Sequence, residues 1–135
     1  MTIGKWLLSY GLTTIVFFAV DIVWLGFVAR KMYREQLAHI LADSTNWAAA
    51  IIFYLLFVVG IMVFAIVPAV NEQSVMRAVL LGAFFGFITY ATYDLTNLAT
   101  VKDWPISVTI IDMIWGSVLV TVVSVAGYYI MNFIK

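Results

Sequence analysis

Four long apolar runs, separated by short charged segments, constrain the fold of this chain more than any other feature of its sequence. The runs cover residues 6–29, 44–71, 78–101 and 104–134, and together they contain only three charged side chains. Each run is long enough to cross a hydrocarbon core of about 30 Å as a helix. Backbone groups in lipid must be hydrogen-bonded within their own segment, which favours helices. The runs do not alternate in polarity, which argues against the strands of a membrane β-barrel.

The composition agrees with a membrane protein. Hydrophobic residues make up 65% of the 135 residues and charged residues 10%, against roughly 25% charged in a soluble domain. The net charge of zero leaves no basic face of the kind that nucleic-acid binding needs, so we expect no nucleic-acid partner. There is no cysteine and only one histidine, which excludes thiolate and multi-histidine metal sites. We therefore expect neither a metal nor a cofactor.

These observations predict an all-α protein whose residues 1–135 form a single transmembrane domain. Short connections make consecutive helices antiparallel neighbours, so the expected fold class is an integral membrane four-helix antiparallel bundle. The first run looks like a signal peptide, but it is too long and contains Asp21, so we expect a retained helix. Asp103 is the expected N-cap of the fourth helix. The predicted helices cover about residues 6–29, 46–70, 76–101 and 105–132.

The longest connection, residues 31–42, predicts a short interfacial amphipathic helix between helices one and two. Its apolar side chains, Tyr33, Leu37, Ile40 and Leu41, fall on one helical stripe, and the charged ones lie elsewhere. Such a pattern is typical of a helix that lies at the membrane surface. A plain hydrated loop is the alternative.

Antiparallel spans divide the connections between two sides of the membrane. We call the side of the 30–43 and 102–105 connections side A, and the side of the 71–77 connection and both chain ends side B. Side A receives four Lys or Arg residues and side B three. The basic cluster at 30–34 favours side A as the cytoplasmic side, although a near balance is also typical of dual topology. We expect a multi-pass protein of the bacterial inner (cytoplasmic) membrane, embedded in the lipid bilayer, for which a homodimer or small oligomer is an open alternative to a monomer.

Three carboxylates at one depth are the most informative feature of the sequence. Asp21, Asp94 and Asp112 are the only charges inside the four runs, and all three lie towards side A. Each is eight or nine residues from the flanking charge on that side, which is about 12–14 Å at ~1.5 Å per residue. Because a carboxylate in a membrane helix costs roughly 2.5–3.5 kcal/mol, the three are expected to face inward and to share protons or hydrogen bonds.

The neighbours of these aspartates are also polar or amphipathic. Each aspartate has a side chain able to hydrogen-bond three residues further on, on its own helix face: Trp24, Asn97 or Trp115. The predicted ligand- or proton-binding residues are Asp21, Asp94, Asp112, Trp24, Trp115, Asn97, Tyr90 and Tyr93. The expected head-group or mouth residues are Arg30, Arg34 and His39. No catalytic residue is assigned.

A polar chamber open to side A is the favoured interpretation of this cluster. It would bind or move a proton, a cation or a small polar or amphipathic ligand. One alternative is a membrane-embedded enzyme that uses the aspartates as general acid and base on a lipid or isoprenoid. Another is a structural or assembly subunit in which the acids form a packing network.

Two further features concern packing. Gly82 and Gly86 form a G-x-x-x-G stripe with Ala78 at the same spacing. The stripe predicts a close helix approach, within the bundle rather than at a dimer seam. Pro68 is expected to end or kink the second helix.

Several strings in the chain resemble a known family. They are Phe17-x-x-x-Asp21-x-x-Trp24-Leu25-Gly26, Tyr33-x-x-x-Leu37-x-His39, the continuous stretch from Thr89 to Thr100, and Asp112-x-x-Trp115-Gly116. Together they resemble a family of small bacterial membrane proteins catalogued as a domain of unknown function, series number 2177. The resemblance covers nearly the whole chain. It implies a four-helix inner-membrane protein, and it brings no established activity, substrate or cofactor.

Overall fold

The computed structural model describes all 135 residues and contains five helices and no strand. Four helices are long and apolar enough to cross a membrane, which confirms the predicted all-α, four-span fold class. Each span begins and ends within three residues of the predicted bounds. The spans are α1 (Ile3–Val28), α3 (Trp47–Asn71), α4 (Val75–Thr100) and α5 (Ile106–Ile134), and α2 (Arg30–Gln36) is the short helix between the first two.

Local side-chain chemistry explains where three of the spans begin. The side chains of Thr2, Asn46 and Ser74 each accept a hydrogen bond from the backbone N–H three residues further on, at the starts of α1, α3 and α4. The predicted N-cap at Asp103 is wrong. Asp103 has a left-handed backbone with φ 58°, a conformation that aspartate tolerates. It therefore serves a tight turn, and α5 begins after Pro105 without a side-chain cap.

The interfacial helix is shorter than predicted. α2 ends at Gln36, and the rest of the predicted 31–42 segment forms turns. Leu37 follows the last helical residue and is buried against Trp104 and Val108 of the α5 region. Because this contact anchors the end of α2 on the bundle, the chain turns there towards the start of α3.

The four spans pack around one apolar core. α5 lies between α1 and α4, and α3 packs against α1 and, in its side-B part, against α4. Phe17, Ile61, Met62, Leu119 and Val123 are fully buried in the centre. The bundle is therefore closed by apolar packing towards side B.

The backbones of α4 and α5 are in direct contact. A Cβ atom added to Gly86 would collide with the carbonyl oxygen of Gly116, and one added to Gly82 would lie 2.6 Å from Ser124 Oγ. Only glycine permits so close an approach. Gly82 and Gly86 thus face α5 within the bundle.

α3 contains a π-helical turn in its side-B half. The turn covers Met62–Ile66 and ends two residues before Pro68, which lacks an N–H and crowds the carbonyl of Phe64. The helix nevertheless continues to Asn71, so Pro68 does not end it. α3 contacts α4 from Phe57 and Gly60 onwards, where both residues lie against Phe85, whereas its first residues, 47–53, are almost all exposed. A gap therefore separates the side-A halves of α3 and α4.

The glycine contact predicts the effect of adding one methyl group. Gly86→Ala should lower the thermal stability of the purified protein in mild detergent, because the new Cβ must displace the α5 backbone. Overpacking of this kind costs about 1–3 kcal/mol. Gly11→Ala is the matched control, since a Cβ there meets nothing within 4 Å, and it should be neutral or slightly stabilising. Equal melting temperatures for the two variants would contradict the contact.

Candidate functional site

A cavity of about 940 Å³ lies between the side-A halves of the four spans and α2. All five helices contribute to its wall, and 13 of its 19 lining residues are hydrophobic. A mainly apolar cavity with a few convergent polar groups is typical of a small-molecule site, and this volume is within the usual range of about 300–1,000 Å³.

The three aspartates all line this cavity. They come from three different spans: Asp21 from α1, Asp94 from α4 and Asp112 from α5. Their exposed fractions are only 6%, 0% and 9%. The three aspartates that the sequence places at one depth therefore lie in the wall of one cavity.

The carboxyl groups of Asp94 and Asp112 lie close to each other in the cavity wall. No N–H or O–H group of the chain donates to either oxygen of Asp94. Asp112 does have a donor, because the Tyr33 hydroxyl lies 2.5 Å from its Oδ1 atom. Two carboxyl groups can hydrogen-bond to each other only when one of them carries a proton.

The α4–α5 packing register produces this pairing. Gly82 lies opposite Ser124, and Tyr90 lies against Gly116. One turn beyond Tyr90 in the same antiparallel register, Asp94 meets Asp112. The glycine stripe and the acid pair are therefore parts of one helix interface.

Two stacked indoles join α1 to α5. The rings of Trp24 and Trp115 are nearly parallel, 6° apart in orientation, with centroids 4.4 Å apart. Trp115 Nε1 donates to Asp21 Oδ1 at 3.4 Å, and Trp24 Nε1 donates to the Tyr33 hydroxyl at 3.3 Å. Neither indole donates to the aspartate three residues before it. The partner of Trp115 lies on α1 and the partner of Trp24 lies on α2.

Tyr33 is the one residue of α2 that lines the cavity. Burial raises its pKa, and the carboxyl of Asp112 beside it adds to the increase. The hydroxyl therefore stays protonated at neutral pH and remains a donor to Asp112. The sequence analysis placed Tyr33 on the apolar stripe of the interfacial segment and in one of the strings that resemble the family, but not among the site residues. These two features were the available signals for a site residue.

Tyrosines complete the polar part of the wall. The Tyr54 hydroxyl lies beside the Asp21 carboxyl, and Tyr54 was not in the predicted residue set. Tyr90 and Tyr93, which were in that set, also line the cavity, and Tyr93 lies at its rim with 57% of its surface exposed.

Four predicted residues lie outside the lining. Asn97 is half-buried beside Tyr93 rather than beside Asp94. Arg30, Arg34 and His39 are exposed, and neither arginine forms an ion pair with an aspartate. As a result, no Lys, Arg or His side chain lines the cavity. No group of His, Cys, Asp or Glu side chains in the chain is arranged to hold a metal ion.

The fold and the cavity together define a small multi-pass membrane protein with an acid-lined cavity in one half of its bundle. Residues 6–129 match the family described as "Predicted membrane protein (DUF2177)", and the chain belongs to that family. The match includes every residue that lines the cavity, and it confirms the resemblance found in the sequence. No curated protein and no solved structure matches the chain.

The hydrogen bond from Tyr33 to Asp112 predicts a stability difference. Tyr33→Phe removes the hydroxyl that donates to the nearly buried carboxyl group of Asp112, and it should lower the free energy of unfolding by about 1–3 kcal/mol. Tyr129→Phe is the control, because Tyr129 is 59% exposed and far from the cavity lining. The check is thermal unfolding of both variants in mild detergent. If Tyr33→Phe unfolds at the same temperature as Tyr129→Phe, the hydrogen bond contributes nothing.

Proposed function

We propose that the cavity binds a cationic ligand and that binding is coupled to the release of a proton from the acid cluster. The chain would act as a small membrane receptor or carrier for polar or amphipathic cations. One observation carries the proposal: three buried carboxyl groups share a cavity wall that contains no cationic side chain.

The charge balance of the cavity supports this function. A buried carboxylate without a counter-charge is strongly disfavoured in an apolar environment. Since the arginines nearest to the cavity are exposed and unpaired with the aspartates, the compensating positive charge has to be a proton or a ligand. The cluster is therefore suited to exchange one for the other.

The three acids are suited to different parts of this exchange. Asp94 is fully buried, lacks any donor and lies beside Asp112, so this pair is suited to share one proton. Asp21 and Asp112 retain some exposure, so their oxygens are the ones a ligand can approach. When a cation binds there, the shared proton leaves, and the total charge of the cluster and its ligand does not change.

A pure packing network fits the same residues less well. Buried polar groups that exist for packing are normally hydrogen-bonded. Tyr33 and Trp115 satisfy one oxygen each on Asp112 and Asp21, but Asp94 has no donor from the chain. Its environment favours an exchangeable proton over a fixed structural contact.

Proton release on ligand binding tests the proposal. The purified protein in lipid nanodiscs is titrated calorimetrically with primary alkylammonium ions of increasing chain length. Two buffers with different heats of ionisation report the number of protons released. Wild-type protein should bind at least one of these ions with proton release. Asp94→Asn and Asp112→Asn should abolish the release, and Asp112→Asn should weaken binding about tenfold or more, equivalent to ~1.4 kcal/mol.

Asp103→Asn provides the matched control for this titration. It removes an exposed carboxylate on side A, and asparagine also tolerates the left-handed backbone at this position. It should bind and release protons like the wild type. If the cavity variants remain folded and behave like Asp103→Asn, or if no ammonium ion binds the wild type, the proposed function is wrong.

A further inference from the structure

The side-A end of the cavity is covered by α2 and the residue that follows it. Tyr33 hydrogen-bonds to Asp112, and Ser107 donates to Gln36. Leu37 packs against Trp104 next to these contacts. α2 therefore lies as a lid over the end of the cavity that faces water.

Three of the four lateral seams between the spans are also closed. Trp24 and Trp115 stack between α1 and α5, and the glycine stripe brings α4 and α5 into backbone contact. Between α1 and α3, the rings of Phe17 and Phe18 both pack on Tyr54, with centroids 5.5 Å apart in each pair. Only the seam between α3 and α4 is not closed along its whole length.

The seam between the side-A halves of α3 and α4 is open. Cavity-lining side chains on both of its edges are exposed: Phe53 on α3 by 54%, and Tyr93, Thr92 and Thr96 on α4, with Tyr93 at 57%. These residues lie within the apolar spans, so the opening faces the hydrocarbon of the bilayer.

The edges of this opening are compatible with a hydrocarbon chain. None of their residues is charged. The hydroxyls of Thr92 and Thr96 donate to backbone carbonyls of their own helix, so neither hydroxyl needs a hydrogen-bond acceptor from the ligand or the lipid. At the inner end of the cavity, by contrast, are carboxyl groups and the indoles of Trp24 and Trp115, and an indole face attracts an ammonium ion.

We propose that the ligand is a membrane-dissolved amphipathic ammonium ion, which enters sideways from the bilayer between α3 and α4. Its charged head lies at Asp21 and Asp112, and its single apolar chain extends towards the opening between Phe53 and Thr92. This inference rests on the proposed cation site and adds to it the class of ligand and the route of entry.

Photochemical labelling in lipid nanodiscs tests the route and the ligand class together. The probe is a long-chain primary amine with a diazirine in its chain, and labelled residues are located by mass spectrometry. Wild-type protein should be labelled at cavity residues such as Phe57 and Tyr90. A long-chain alcohol with the same diazirine should label these residues at least tenfold less, since it lacks the charge.

Bulky substitutions at the opening test entry from the side. Thr92→Trp should narrow the opening and slow cavity labelling by the long-chain amine at least fivefold. Leu95→Trp is the matched control, because Leu95 is on the same helix at a similar depth, is 48% exposed and does not line the cavity. It should label like the wild type. Thermal unfolding of both variants verifies that each is folded.

The possible outcomes separate this inference from the proposed function. If only short, water-soluble ammonium ions bind with proton release, or if Thr92→Trp labels as fast as Leu95→Trp, lateral entry is overturned while the cation site stands. If no ammonium ion binds or releases a proton, the proposed function fails as well. Amine labelling of the cavity that is lost in Asp112→Asn and slowed in Thr92→Trp supports both.

Discussion

The contact between the backbones of α4 and α5 determines where the functional groups of this protein meet. Glycines at positions 82, 86 and 116 let the two helices touch, and the touching fixes their antiparallel register. In that register Asp94 lies beside Asp112. A side chain at Gly86 would push the helices apart and separate the two carboxyl groups. Gly82 and Gly86 therefore affect the acid pair although they lie about two to three turns from Asp94 along α4.

The acid cluster imposes a second constraint, which is the need for positive charge in an apolar environment. The chain supplies hydrogen-bond donors from Tyr33 and Trp115 but no cationic side chain in the wall. Hydrogen-bond donors reduce the free-energy cost of burying a carboxylate, but they do not neutralise its charge. α2 and the stacked indoles are held by the same acids, since Tyr33 bonds to Asp112 and Trp115 to Asp21. A change in the charge of the cluster would thus act directly on the lid and on the α1–α5 seam.

Much of the architecture can be predicted from the sequence, because the spans and the depth of the aspartates depend only on positions along the chain. Apolar run length gives the spans, and counting residues from flanking charges places Asp21, Asp94 and Asp112 at one depth. Contacts between helices are not encoded in this way. The hydrogen bond from Trp115 to Asp21 depends on how α1 lies against α5, and the one from Trp24 to Tyr33 depends on how α1 lies against α2. The role of Tyr33 depends on where α2 docks, and the open α3–α4 seam depends on where the first residues of α3 lie relative to α4. Arg30 and Arg34 illustrate the limit, since closeness in sequence to Asp21 did not bring them into the cavity.

Infrared difference spectroscopy between acidic and alkaline pH tests the central claim most directly, because a protonated carboxylic acid has a carbonyl stretching band that a carboxylate lacks. In lipid nanodiscs, the folded wild-type protein should lose such a band as the pH rises, with the frequency of an acid in a poorly hydrated environment. The band should be absent from folded Asp94→Asn and present in Asp103→Asn. If the wild type shows no band of this kind, or if Asp94→Asn keeps it unchanged, the Asp94–Asp112 pair does not hold an exchangeable proton.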